Sequence, residues 1–258
     1  ERPPGRRWPA RRADPADGLT APGMFPDLGL SSFSLVDAAA LVCFLSAWFG
    51  YSYAVEHLGG GKRSLNGMMN RYRHAWADQQ MVRENRVVDT TINASLQNGT
   101  AFFASTALIA LGSALTLSRS ADDALTLFST LPLGAPMTRA VWEIKVAGLA
   151  LIFVYAFFKF AWAYRLFNYG AILIGAVPPH DGDPVRIARA ARRAAAMNVV
   201  AGGHFNRGQR AFFFALAYLG WFVSGYVLLV TTAMVLTVMW QRQFASDARR
   251  ALQDHDDP

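Results

Sequence analysis

The apolar residues of this chain gather into four long runs, with polar and charged residues between them. A hydrocarbon core about 30 Å thick asks for roughly 20 consecutive apolar residues in a helix. The first run, 34–55, carries Asp37 near its start and Trp48, Phe49, Tyr51 and Tyr53 toward its end, aromatics suited to a membrane interface. The second covers about 99–117 and the third about 143–164, the core of a stretch from Trp142 to Tyr169. The fourth, 211–240, would reach about 45 Å as one helix, longer than a bilayer needs. It must therefore tilt, bend at Gly220 or Gly225, or protrude.

The segments between the runs have their own periodicity. Residues 64–98 contain no proline and predict helix, and Val88, Ile92, Leu96, Gly99 and Phe103 continue one face into the second run. Thr106, Ala110 and Ala114 make a strip of small residues at intervals of four, suited to close packing between helices in lipid. Residues 118–141, with Asp122, Asp123 and the turn signal LPLGAP, predict a short loop. The apolar residues after the third run are too few to cross and are expected to be interfacial or packed on the bundle. Residues 184–198 predict a basic helix, with Arg186, Arg189, Arg192 and Arg193 against Ile187, Ala191 and Ala195, ended by the Gly202, Gly203 pair. The fold class expected is an all-α integral membrane protein: four transmembrane helices with long amphipathic cytoplasmic helical extensions. Residues 1–33, rich in Pro and Arg, read as a disordered tail, 34–243 as the membrane domain, and 244–258 as a charged C-terminal tail.

Charge adds an orientation. The sequence carries 25 basic residues, only three of them lysines, against 18 acidic ones. Six basic residues lie between the first and second runs and seven between the third and fourth, against two between the second and third. Four passes put the two rich loops on one side, which the positive-inside rule makes cytoplasmic, with both termini outside. The Arg-rich composition fits a bacterial source, and hence the inner membrane. The basic segments flank spans and carry Tyr72 and Trp76 at anchor spacing, so they point to anionic lipid headgroups rather than nucleic acid. Arg71, Arg73, Arg83, Arg86, Arg186, Arg189, Arg193, His204 and Arg207 make up this expected lipid or partner surface. The single cysteine, Cys43, excludes an internal disulfide and is expected to be a buried structural thiol.

Charges within the runs are the main candidates for function. Lys145 and Lys159 fall on one narrow helical face, and the uncharged segment between them spans only about 20 Å. At least one of them must sit within an apolar slab or snorkel out of it. For Lys159 the leading expectation is snorkelling. The others are an ion pair with Glu56, Glu84 or Asp89, and an ion or substrate pathway. Glu143 and Lys145, two apart, face different ways. Asp37, near the same surface as Lys145, could pair with it, although interfacial anchoring is the simpler expectation.

Catalytic chemistry finds no foothold. The sequence lacks a GxSxG elbow, a phosphate loop and a dinucleotide fingerprint, and the GGGK string at 59–62 reads as a turn. His57, His74, His180, His204 and His255 show no i, i+3 or i, i+4 pairing, so neither metal nor haem is expected. No cofactor and no enzymatic activity are expected. His204, in HFNRGQR with Arg207 and Arg210, remains a candidate hydrogen-bonding residue at the foot of the fourth run.

The strings RENRVVD, TAFFASTALI, VWEIKVAGLALIFVYAFFKFAWAYRLFNY and GGHFNRGQRAFFFALAYLGWF, in this order, resemble an uncharacterised bacterial and plant membrane-protein family, domain of unknown function 599. The resemblance covers roughly residues 35–252, and the N-terminal tail looks like an addition to the family pattern. It implies a multi-span membrane protein and brings no activity, cofactor or site residues. The function expected is a non-catalytic accessory or scaffolding subunit of a membrane assembly, packed against other membrane subunits or itself. The alternative is an ion or small-solute channel or transporter that uses the Lys145 and Lys159 face.

Overall fold

The computed structural model describes residues 33–57, 64–129 and 137–252, and these are helical throughout, with no strand among them. The elements are α1 (Leu35–His57), α2 (Leu65–Val82), α3 (Val87–Arg119), α4 (Ala121–Ser129), α5 (Arg139–Gly175), α6 (Pro184–Leu219), a 3₁₀ turn (Gly220–Phe222), α7 (Gly225–Phe244) and α8 (Asp247–Ala251). Four segments are long and apolar enough to cross a membrane: α1, α3, α5 and Gly225–Ala251. The tail at 1–32, the GGGK turn and the LPLGAP turn lie outside the described residues.

Local chemistry sets the helix ends. Ser64, Thr138, Asp183 and Ser224 each accept a hydrogen bond from a first-turn backbone N–H of α2, α5, α6 and α7, which satisfies donors the helix itself leaves free. Pro184 follows Asp183 in the first turn of α6, where its missing N–H costs nothing. The proline-free segment 64–98 is two helices, not one. Its break at 83–86 is held by long-range bonds: the buried Asp89 accepts from Trp76 Nε1 (2.6 Å) and Arg83 Nη1 (2.7 Å), while Arg86 donates to the carbonyls of Val177 and Pro178. The segment expected as the loop 118–141 contains the helix α4.

Gly202 and Gly203 do not end the basic helix; α6 passes through both without interruption. The absence of a side chain at Gly202 makes room for the Arg73 guanidinium, which a Cβ there would strike. The fourth run is split instead. Its first residues finish α6, the chain turns through Gly220–Phe222, and a new helix starts at Gly225. Val223 N and Ser224 N both donate to Gly220 O, and Thr231 Oγ1 ties α7 back to Ala217 O at 2.7 Å.

The result is five long rods about α5. Antiparallel to α5 runs α3, with Leu117 O near Trp142 Nε1 and Asn93 Nδ2 donating to Phe167 O. Over most of its length α6 retraces α5: Asn198 lies against Gly170, Gly208 against Phe160, and Trp221, just past its end, reaches Lys145. In turn α7 doubles back along α6 and lies parallel to α1, with Gly225 against Val36 and Tyr51 Oη donating to Met239 O. The described chain therefore begins at one end of the bundle, with Asp37, and finishes at the other, with Glu56 and Met239.

An aromatic core fills the interior. Trp48, Phe44, Phe214, Tyr218 and Trp221 make edge-to-face or stacked contacts with ring centroids 5.3–6.0 Å apart, geometry that adds to plain burial. Phe103, Phe160, Phe205 and Phe212 form a second such group. The face of α3 that packs inward is Thr100, Ala107 and Ala114, spaced by seven, so the strip read from the sequence is right at Ala114 and shifted elsewhere. Large apolar side chains also point outward around the bundle, among them Val42, Phe49, Phe102, Ile109, Leu151, Phe158, Val230 and Met234, each at least 60% exposed.

Candidate functional site

At the Asp37 end the bundle closes over a charge. Lys145, on the inward face of α5, is 2% exposed. Its ammonium donates to Trp221 O at 2.7 Å and stands 3.7 Å from Asp37 Oδ1 and 5.0 Å from the Trp221 ring centroid. The same Asp37 oxygen accepts from Trp221 Nε1 at 2.8 Å, and Ser34 Oγ donates to the other carboxylate oxygen. Two helices, α1 and α5, and the 3₁₀ turn thus meet at one ion pair. Lys145 is a buried partner of Asp37, the pairing that the sequence offered beside interfacial anchoring. Glu143, two residues away, turns outward and pairs with Arg139 at 3.0 Å.

Lys159 does not share that environment. It is half-buried, its ammonium lies 5.1 Å from the Tyr155 ring centroid, and among the described residues it has no ion pair. The carboxylates expected for it lie elsewhere: Asp89 with Arg83, Glu56 with Arg207 and Arg210, and Glu84 exposed, 3.9 Å from His180 Nε2. Lys145 and Lys159 therefore do not form one continuous charged face.

The Glu56 end carries a second cluster. Arg207 grips Glu56 with two bonds, Nε to Oε1 at 2.9 Å and Nη2 to Oε2 at 2.6 Å, and Arg210 donates to Oε1 as well. A bidentate guanidinium–carboxylate pair is the strongest geometry available to such groups. It fastens the end of α1 to the middle of α6. His204, one turn before Arg207, has a buried Nδ1 without a partner among the described residues.

The arginines read as one lipid or partner surface divide into two groups. Arg73, Arg83, Arg86 and Arg207 are spent inside the protein: on Asn70 and the cleft at Gly202, on Asp89, on two carbonyls and on Glu56. Burial alone pushes the Arg73 guanidinium down from its usual value. Arg186, Arg189 and Arg193 are exposed on α6, with Arg192 beside them, and Arg71 is exposed on α2. Cys43, expected inside, is exposed on the outer face of α1. It falls between Phe44, which faces the core, and Val42, which faces out.

Trp221 was not marked by the sequence pattern as a site residue, because nothing local distinguishes it from the other aromatics of its run. The pairing of Glu56 with Arg207 and Arg210 had a faint signal, an acid at the end of one run and bases at the foot of another. Among the described residues no group of three or more His, Cys, Asp or Glu side chains could hold a metal ion.

The chain belongs to the family described as protein of unknown function, DUF599, whose model matches residues 39–248. No curated protein and no solved structure matches the chain.

Proposed function

We propose that this member of the family is a polytopic protein of the bacterial cytoplasmic membrane that serves as a non-catalytic accessory or scaffolding subunit. The observation that carries the reading is the closed, buried contact of Lys145 with Asp37 and Trp221. A transport pathway wants intramembrane charge facing water or a substrate. Here the lysine is spent on tying α5, α1 and the α6–α7 turn together. The outward apolar side chains of α1, α3, α5 and α7 then meet lipid or the apolar helices of another subunit. They are far more numerous than the isolated surface apolar residues of a soluble monomer.

Orientation follows from where the bases sit. Among the described residues only Arg119, Arg139 and Lys145 belong to the Asp37 end. Lys159, Arg165 and every other described arginine, among them Arg186, Arg189, Arg193, Arg207, Arg242 and Arg250, belong to the half nearer Glu56. The positive-inside rule makes the Glu56 end cytoplasmic. Exposed Arg186, Arg189 and Arg193 then face anionic headgroups or a cytoplasmic partner.

Purification of the native protein in mild detergent, with mass spectrometry of what travels with it, tests the reading. Reproducible co-purification of another membrane protein, or a stable homo-oligomer, is the expected result. A lone monodisperse monomer, together with an ion flux in reconstituted vesicles that Lys159→Ala abolishes, would replace it with the transport alternative.

A further inference from the structure

At the Glu56 end a cleft of about 100 Å³ opens between α1, the start of α2, α6 and α7, lined by Tyr51, Asn66, Gln209, Arg210, Arg242 and Gln243 among others. Its polar lining is rich in donors. Gln243 is 8% exposed and its Nε2 has no acceptor, and Arg210 is 7% exposed and its Nε has none. A buried donor left without an acceptor is costly, and a pair of them in one cleft calls for a ligand that accepts. Arg242 sits exposed at the rim, its guanidinium 5.0 Å from the Phe213 ring centroid, and among the described residues it has no carboxylate partner. Glu56 is the carboxylate paired with Arg210, and it is shared with Arg207, so the cations of this corner outnumber their counter-charge. The first turn of α2 is also at the rim, through Leu65 and Asn66, and a helix N-terminus favours negative charge.

We propose that this cleft is a binding site for a phosphate group, held by Arg242 and the free donors of Arg210 and Gln243. Its volume of about 100 Å³ suits a small anion. Arg210 and Gln243 line the cleft and Arg242 stands at its rim, so a side-chain shift that turns the two buried donors toward the anion completes the site. Two sources present this chemistry at a cytoplasmic membrane face: inorganic phosphate and the headgroup of an anionic phospholipid. The site depends on its side chains and not on the scaffolding role; the phospholipid source depends on membrane insertion as well.

Thermal unfolding of the full chain in uncharged detergent, followed by tryptophan fluorescence, tests the proposal with sodium phosphate in one arm and phosphatidylglycerol in mixed micelles in the other. Stabilisation by sodium phosphate assigns the free ion, and stabilisation by phosphatidylglycerol alone assigns the headgroup. In either case Arg242→Ala and Gln243→Glu are expected to weaken the apparent affinity about tenfold or more. The control Arg119→Ala, an exposed base at the Asp37 end, is expected to leave that affinity unchanged. Arg242 is at the surface and has no ion pair among the described residues, so its variant is expected to fold, and its own melting point without ligand verifies this. Failure of both probes to stabilise the wild type, or equal stabilisation of wild type and both variants, overturns the site. Neither outcome bears on the scaffolding role.

Discussion

A lysine placed at 2% exposure is tolerable only because its partners are fixed. Desolvating an ammonium costs several kcal/mol, and Lys145 recovers that from Asp37, the Trp221 carbonyl and the Trp221 ring. Removing one member leaves the other charge buried and uncompensated. Asp37→Ala is expected to destabilise the solubilised protein by about 3 kcal/mol, read from unfolding in a titration with sodium dodecyl sulfate. The double variant Asp37→Asn with Lys145→Met, which removes both charges and keeps their bulk, is expected to recover most of that loss. If the two single losses simply added in the double variant, the groups would be independent and the pair would have no role in closing the bundle. The sequence placed Asp37 and Lys145 at the same membrane surface, so their encounter was legible. Trp221 was not, because its carbonyl is available to a side chain only where the helix ends, and that end is set by the turn at Gly220–Phe222.

At the scale of the element, the apolar runs announced the rods, and the glycines misled. A Gly pair inside an amphipathic pattern reads as a break, yet α6 passes straight through Gly202 and Gly203. Sequence alone does not distinguish a glycine that ends a helix from one that lets a neighbour approach. Gly208 is of the second kind. A Cβ there would lie 2.6 Å from the Phe160 ring, which is fully buried between Phe103, Phe205 and Phe212 and has nowhere to move. Gly208→Ala is therefore expected to cost about 1–3 kcal/mol by overpacking. Gly203→Ala meets open space and is expected to stabilise α6 by about 0.5–1 kcal/mol, the ordinary gain of alanine over glycine within a helix. The same unfolding titration separates them, and a shift of the same sign in both would contradict the packing of α6 on α5. The arginines posed a similar problem. A guanidinium that will cap the carbonyls of Val177 and Pro178, as Arg86 does, carries no local mark that sets it apart from one that faces solvent.

For the whole molecule, the consequence lies in the number of rods. Four apolar runs imply that the chain ends on the side where it began. The split at Gly220–Ser224 makes α6 a fifth rod and reverses the direction of everything after it. The excess length of the fourth run was visible in the sequence, since about 45 Å of helix cannot lie across a core of about 30 Å without tilting or turning. That it turns fully back, rather than tilting, depends on Ser224 capping α7 and on Gly225 allowing α7 to close on the backbone of Val36. Were α6 to cross as well as the four apolar segments, the C-terminal bases Arg242, Arg249 and Arg250 would join the other arginines on the side the charge rule makes cytoplasmic, whereas four crossings would carry them to the other. A fluorescent reporter that folds only in the cytoplasm, fused after Leu252, is thus expected to be bright. Joined instead to a chain cut at Leu219, on the turn between α6 and α7, it is expected to be dark. Cys43, the one thiol of the sequence, supplies an independent reading. It is exposed on α1, about two turns from Asp37, a position that the proposed insertion of α1 would turn to hydrocarbon. Water-soluble maleimides are expected to miss it in intact vesicles and to label it once detergent gives way to denaturant. A dark full-length fusion with a bright truncated one would restore the four-pass arrangement and place α6 along the surface.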